Sequence, residues 1–177
     1  FFLPVLKIFK KPVVCSVVTP AYQMPVLVKK FPYHVVVNNE QDGEFLKSKG
    51  FYRFSIIPPG INTSVIHSGD YSYDGGKFVL FYGSAPWVHS HFRKKGFDML
   101  LDLVSERSEI RLVCLWRGVL YEEFLKKIKD AGVEKSVEVI NTRVDVNQVL
   151  SRCHVGIVLA ESADVAAAYP RSLLESL

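Results

Sequence analysis

The sequence predicts an α/β fold in which helices cover both faces of a parallel, doubly wound sheet. From Phe78 onward, four apolar segments alternate with three amphipathic ones. The apolar segments show no inside/outside alternation, which is typical of strands buried on both faces. Right-handed strand–helix–strand crossovers between such segments give a Rossmann-like sheet, whose ligands bind at the carboxyl ends of the strands.

The elements of this region follow one another in a regular order. Strands are predicted at FVLFYG, IRLVCLW, VEVI and VGIVLA, and the loops that follow them are expected to share one crevice. Each intervening helix is predicted from apolar residues at positions i, i+3, i+4 and i+7. These residues are Phe97, Leu100, Leu101 and Val104, then Tyr121, Phe124, Leu125 and Ile128, then Val146, Val149, Leu150 and Cys153.

The first third of the chain predicts a second, partial α/β unit over residues 1–57. KPVVCSVV and HVVV indicate buried strands, NNEQDGEFLKSKG a short helix capped by asparagine, and FSIIPPGIN a strand running into a rigid turn. A polar, glycine-rich stretch over 58–77 is interpreted as a linker. The Rossmann-like domain then occupies 78–177.

Composition bounds the kind of protein. Of the 177 residues, 49% are apolar and none of the apolar runs reaches the roughly 20 residues that span a bilayer. A soluble, cytoplasmic protein is therefore expected. The opening FFLPVLKIFKKP has two open interpretations: an ordinary buried segment, or a peripheral contact with an anionic membrane surface.

The net charge and the positions of the cysteines and histidines argue against a nucleic-acid-binding protein and against a metalloprotein. A net charge of +4, scattered along the chain, argues against a nucleic-acid partner but allows small anionic ligands. The three cysteines are far apart and indicate free thiols in a reducing compartment. His89 and His91 have no third ligand nearby, so no metal is expected. His34 and His154 are predicted to be structural.

The segment YPRSLLESL predicts a helix start that could bind an anion. Pro170 suits the first turn, while Ser172 and Leu173 would present free backbone N–H groups. Arg171 adds positive charge there, and Glu175 could reach a polyol beside a bound phosphate. An ordinary helix start with an acidic residue is the alternative.

A second set of residues points to the same chemistry. Gly83 ends the first strand, and Arg93-Lys94-Lys95-Gly96 is predicted to open the next helix. Basic side chains at a helix start oppose its dipole, so an anionic partner is indicated, with Lys95 as the principal candidate. Arg117, after the second strand, could add another cation to the same crevice. A solvated lysine run remains the alternative.

These segments, in this order, resemble the donor-nucleotide half of the retaining GT-B glycosyltransferases. The resemblance is carried by IPPGIN, FVLFYG, RKKGFDMLL, IRLVCLWRG, VEVI, VLSRCHVGIVLA and YPRSLLESL, and it covers Ile57 to Leu177. Lys11 to Gly50 resembles, more weakly, the last part of the acceptor half. Several motifs in the right order make this combined signal stronger than any single one.

The resemblance implies specific roles. Lys95 matches the lysine that holds the donor's diphosphate, and Glu175 matches the glutamate that binds its ribose. The base is expected near Asn141, Thr142 and Arg143. A hexosyl-type sugar would pass from a nucleoside diphosphate to a carbohydrate or lipid-linked acceptor, with retention and without a metal or other cofactor. Polysaccharide or glycolipid biosynthesis is the expected setting.

The sequence departs from the family pattern in three places. Ser84 stands where the family has an arginine, so Arg93 would have to substitute from across the loop. Ala167 stands where a glutamate is usual, and Glu161 is the nearest acidic residue if its loop folds back. Val17-Val18-Thr19 stands where the acceptor half often has a histidine. These departures keep a second interpretation open: a non-catalytic module that binds a nucleotide or a protein.

The resemblance also implies that a complete enzyme would continue beyond Glu175. The 177 residues are therefore expected to be a segment of a larger enzyme with little activity of its own. A sugar-nucleotide epimerase or phosphorylase would need acidic or cofactor-binding residues that the sequence lacks. No oligomeric state is predicted.

Overall fold

The computed structural model describes residues 12–17, 20–21, 33–64, 76–117, 119–162, 165 and 169–175. The chain divides into two compact units, Phe1–Gly60 with Ala167–Tyr169 and Ile61–Ala166 with Pro170–Leu177. The opening segment 1–11 and part of the predicted linker, 65–75, lie outside the described residues.

The first unit contains a parallel sheet of three strands. Its helix begins after Asn39, whose side chain accepts a hydrogen bond from the Asp42 amide at 2.8 Å. The predicted strands and asparagine-capped helix are therefore confirmed. The elements are β1 (Val14–Ser16), β2 (His34–Val37), α1 (Glu40–Ser48) and β3 (Phe54–Ile56), in the sheet order β1-β2-β3.

The second unit contains a parallel sheet of four strands with the order β6-β5-β4-β7. The chain starts in the interior with β4, moves outward through β5 and β6, and then returns to the other side of β4. The strand order therefore reverses between β4 and β7, the topological switch point of a doubly wound sheet. The strands are β4 (Phe78–Tyr82), β5 (Ile110–Leu115), β6 (Val137–Ile140) and β7 (Val155–Ile157).

Helices cover both faces of this sheet, as predicted. Alternate residues of β4 point to opposite sides: Tyr82 packs in one apolar cluster with Phe97 and Phe124, and Phe81 packs in another with Val149. The helices are α2 (Ser90–Lys94), α3 (Phe97–Glu106), α4 (Tyr121–Asp130), α5 (Val146–Leu150) and α6 (Arg171–Leu174).

The basic run lies differently from the expectation. Arg93 and Lys94 are in the last turn of α2 and Lys95 caps its C-terminus, whereas α3 begins only after Gly96. Basic side chains in a last turn interact favourably with the helix dipole. The argument that an anion must offset dipole repulsion is therefore wrong for Arg93, Lys94 and Lys95 alike. Lys95 needs a separate argument from its burial.

His34 and His154, which were predicted to be structural, both form hydrogen bonds. His154 accepts a hydrogen bond from the Val79 amide through Nδ1 at 3.0 Å, and His34 Nε2 lies 2.9 Å from Ser55 Oγ. The cysteines are free thiols. No cluster of three metal-ligating side chains occurs in the described part of the chain. A helix long and apolar enough to cross a bilayer is also absent from that part.

Candidate functional site

The candidate site lies where β4 and β7 end, at the reversal of strand order. Gly83 follows β4 directly, and a Cβ atom placed on it would lie 2.7 Å from the Cβ of Ser172. Real Cβ atoms do not approach so closely, so this contact requires glycine. The first turn of α6 is thereby brought against the end of the central strand, as the sequence analysis expects.

Lys95 is buried beside this junction, and it has no counter-ion among the described residues. Only 9% of the residue is exposed. Its Nζ donates to Ser84 Oγ and to the Ala85 carbonyl oxygen, each at 3.3 Å. Both acceptors are neutral, and no described carboxylate forms an ion pair with Lys95. Burial lowers the pKa of the Lys95 ammonium. A buried charge of this kind is costly unless an opposite charge joins it.

Glu138, a partly buried charge in the same unit, is neutralised by side chains of the protein itself. Its carboxylate accepts hydrogen bonds from Arg111 at 2.9 Å and from Arg152 at 2.6 Å, although about a quarter of its side chain is exposed. Lys95 is more deeply buried, and its partners among the described residues are neutral. The contrast makes Lys95 the candidate cation of this site.

Tyr82 is a member of the site that the sequence analysis missed. It is the last residue of β4 and is 1% exposed, and its hydroxyl donates to the Lys95 carbonyl oxygen at 3.1 Å. Burial raises the pKa of this hydroxyl, so it stays protonated. The one sequence feature that could have indicated Tyr82 is its position just before Gly83. The apolar pattern of a strand does not show that the hydroxyl of one of its tyrosines forms a hydrogen bond at the site.

The loop after β7 folds back to the junction of α2 and α3. The Glu161 amide donates to the Lys94 carbonyl oxygen at 2.7 Å. Its carboxylate lies 3.4 Å from the Arg93 guanidinium. Both side chains are exposed, so this pair adds little stability. The two residues expected to compensate for Ser84 and Ala167 thus lie together beside Lys95, while Ala167 itself lies outside the described residues.

Gly96 fixes the turn between α2 and α3. Its φ is +68°, in the left-handed region that favours glycine. A Cβ on it would also lie 2.7 Å from the Leu159 side chain. The turn that carries Lys95 is therefore held close to the segment that follows β7.

An open hollow of about 700 Å³ lies at the ends of β5 and β6. Two of the lining side chains are arginines, Arg117 and Arg143, and neither forms an ion pair with a described residue. The other predicted base-binding residues line the same hollow. The complete lining is Arg117, Asn141, Thr142, Arg143 and Val144.

The expected helix start at Pro170 is present but short. The Leu174 amide donates to the Pro170 carbonyl oxygen at 3.2 Å, and α6 comprises one turn. Its macrodipole is small, so the free amides of the first turn are the useful feature. Glu175 follows the helix and is half-buried. The side chains of Arg171 and Leu173 lie outside the described part of the structure.

Solved structures of glycosyltransferases resemble this chain closely in fold. HepE of Anabaena, solved in complex with UDP and glucose, matches 96% of this chain and 51% of its own at 14% identity, with a TM-score of 0.75. Sucrose-phosphate synthase of Thermosynechococcus elongatus matches 97% and 50% at 12% identity, with a TM-score of 0.71. A glycosyltransferase of Rickettsia africae matches 92% and 48% at 12% identity, with a TM-score of 0.67.

These similarities show the fold of the chain, which is the GT-B type expected from the sequence. The chain spans about half the length of these solved structures. No protein-family model matches it, and no curated protein matches it.

Proposed function

We propose that the second unit binds a nucleoside-diphosphate sugar and that the chain belongs to a glycosyltransferase that moves the sugar to an acceptor hydroxyl. The observation that carries this proposal is the buried Lys95 ammonium at the end of β4, whose hydrogen-bond partners among the described residues are neutral oxygens. A diphosphate is the anion that fits a cation at the switch point of a doubly wound sheet. HepE, of similar fold, was solved with UDP in complex.

The order of the loops supports one extended ligand. The carboxyl ends of the strands follow one another in the order β6, β5, β4 and β7. The hollow lies at the ends of β6 and β5, Lys95 lies beside the end of β4, and α6 and Glu161 lie beside the end of β7. Neighbouring strands are about 4.8 Å apart, so adjacent parts of a nucleotide can reach adjacent loops. We assign the base to Asn141, Thr142 and Arg143, with Arg117 near them. The sugar would lie toward β7.

The chemistry of transfer follows from this placement. As the bond between the sugar and the diphosphate breaks, negative charge grows on the departing phosphate. A preformed cation in a water-poor site stabilises that charge more in the transition state than in the ground state. We assign this role to Lys95, with Arg93, Ser84 and the amides of Ser172 and Leu173 as further donors. A reaction that relies on these groups needs no metal, and retention is part of the proposal.

The remaining roles are also part of the proposal. Glu175 would accept hydrogen bonds from the ribose, and Gly83 would leave room for the phosphate beside α6. Arg171 would add positive charge. The first unit would belong to the acceptor half, with a carbohydrate or lipid-linked acceptor as its substrate. A cytoplasmic setting, with peripheral membrane contact through residues 1–11, completes the proposal.

Nucleotide binding to the full chain tests the donor site. UDP, GDP, ADP and dTDP are titrated by calorimetry, and at least one is expected to bind. Lys95→Ala should weaken that binding about tenfold or more, because a charge-assisted hydrogen bond is lost. The matched control is Lys135→Ala. Lys135 is exposed and lies just before β6, at the amino ends of the strands and away from the candidate site. Equal binding by the two variants would contradict the proposal.

A non-catalytic nucleotide-binding module is the second candidate, favoured by Ser84 in place of the family's arginine. Both candidates predict nucleotide binding that depends on Lys95. They differ in turnover: only an enzyme releases the nucleoside diphosphate that binds from its sugar conjugate in the presence of an acceptor. A longer protein containing this chain, tested with and without Lys95→Ala, decides between them by the rate of that release.

A further inference from the structure

We propose that the Tyr82 hydroxyl is a positioning group for the diphosphate site, because it fixes the backbone of Lys95 and so directs the Lys95 ammonium toward the ligand. The inference rests on the proposed function, which assigns Lys95 to the diphosphate. Tyr82 acts through Lys95 and is assigned no contact with the reacting atoms.

Tyr82 joins a rigid strand to the turn that carries the lysine. Its backbone is part of the central strand and pairs in register with Cys114 on one side and Ile157 on the other. Its ring is buried, with its centroid 6.1 Å from that of Phe97, which starts α3. Its hydroxyl donates to the Lys95 carbonyl oxygen at 3.1 Å. Strand, ring and hydroxyl together set where the turn lies.

The turn needs such a contact because helical hydrogen bonds do not fix it alone. Lys95 is the C-cap of α2, and Gly96, with its backbone in the left-handed region, is the N-cap of α3. Carbonyl groups at a helix end have no partner within the helix. Without the tyrosine hydroxyl, the buried carbonyl of Lys95 would lose this donor and the turn could rotate. A small rotation of the backbone displaces the end of a long lysine side chain far more.

The strand that carries Tyr82 also leads to the acceptor of the lysine ammonium. Lys95 Nζ donates to Ser84 Oγ, and Ser84 lies two residues after Tyr82, just beyond the end of β4. The end of β4 therefore holds Lys95 at two points: its carbonyl oxygen through the Tyr82 hydroxyl and its ammonium through Ser84.

A tyrosine that only stabilises the core would behave differently from a positioning residue. Loss of core stability loosens the whole sheet edge and lowers the affinity for every nucleotide by the same factor. A displaced Lys95 ammonium weakens the contact with the diphosphate and leaves the contacts with the base and the ribose unchanged. The affinity ratio of a nucleoside diphosphate to its monophosphate therefore separates the two roles.

The experiment compares Tyr82→Phe with Tyr121→Phe in the full chain. Tyr121 starts α4 and packs against the same apolar cluster, and its hydroxyl has no hydrogen bond to a described residue. The dissociation constants of UDP, GDP, ADP and dTDP and of the matching monophosphates are measured by calorimetry or NMR titration, and the diphosphate that binds the wild type is compared with its own monophosphate. The thermal midpoint of each unliganded protein is measured as well.

Tyr82→Phe is expected to weaken diphosphate binding roughly fivefold, the effect of one neutral hydrogen bond, and to change monophosphate binding by less than about twofold. Tyr121→Phe should change neither. An unchanged diphosphate-to-monophosphate ratio in Tyr82→Phe, or an equal change in Tyr121→Phe, overturns the inference and leaves the donor site standing. A wild-type chain that binds none of UDP, GDP, ADP and dTDP refutes the proposed function itself, and this inference falls with it.

Discussion

At the scale of single residues, the buried charge of Lys95 lowers the stability of the free protein, and the proposed function assigns that charge to the binding of a diphosphate. Its ammonium is buried among neutral oxygens, and burial lowers its pKa. A lowered lysine pKa means that the folded state disfavours the charge that the unfolded chain carries freely. A bound diphosphate would remove that penalty. Under the proposed function, Lys95 therefore lowers the stability of the unliganded protein and raises its affinity for the nucleotide.

Replacement of Lys95 by methionine should therefore stabilise the unliganded protein. Lys95→Met keeps the length of the side chain and removes the buried charge, so we expect a gain of about 1 kcal/mol at neutral pH. Urea denaturation without nucleotide measures it, and the exposed Lys135→Met serves as the control, with a change within about 0.5 kcal/mol. Destabilisation by Lys95→Met would mean that the ammonium is a structural donor.

The advantage of Lys95→Met should disappear as pH rises. Between the lowered pKa of Lys95 and its ordinary value of 10.5, the unfolded chain binds more protons than the folded protein. Stability of the wild type then increases with pH relative to the variant. The same titration should weaken diphosphate binding to the wild type, because the neutral amine no longer attracts the anion. Denaturation curves and nucleotide titrations between neutral pH and pH 10.5 measure both effects.

At the scale of elements, the end of β4 and the start of α6 depend on the absence of a side chain. Gly83→Ala would place a Cβ 2.7 Å from the Ser172 Cβ, and both atoms are near backbone, so the helix start must move. We expect nucleotide affinity to fall about tenfold and stability to fall by about 1–3 kcal/mol, as in other overpacked sites. Gly60→Ala is the control, because a Cβ there meets nothing within 4 Å. Equal nucleotide binding by the two variants would contradict this geometry.

Elements were more predictable from the sequence than the groups that the site uses. The apolar periodicity of Phe97, Leu100, Leu101 and Val104 predicted α3, and all four are buried. The position of the basic run Arg93-Lys94-Lys95 could not be predicted, because the run lies at the end of a separate helix, α2. That helix has only five residues, and so short a helix shows no apolar periodicity. The return of Glu161 to Lys94 and the use of the Tyr82 hydroxyl depend on tertiary contacts that local patterns do not contain.

At the scale of the whole molecule, two units with separate cores should respond separately to a nucleotide. The cluster that contains Val35 and Val37 lies in the first unit, whereas the clusters around Phe97 and Val149 lie in the second. Both tryptophans of the chain, Trp87 and Trp116, are in the second unit. Tryptophan fluorescence therefore follows the unfolding of the second unit, while far-UV circular dichroism follows both.

The proposed donor site lies in the second unit, so its nucleotide should stabilise the fluorescence-detected transition. A nucleotide present at about one hundred times its dissociation constant adds about 2.7 kcal/mol to the state that binds it. We expect urea unfolding followed by fluorescence to shift by that amount, and a part of the circular dichroism change to remain at its original midpoint. The Lys95→Ala protein, at the same nucleotide concentration, should show little shift in either signal. Coincident shifts of the two signals in the wild type would mean that the units unfold as one cooperative body, and the donor site would then stabilise the first unit as well.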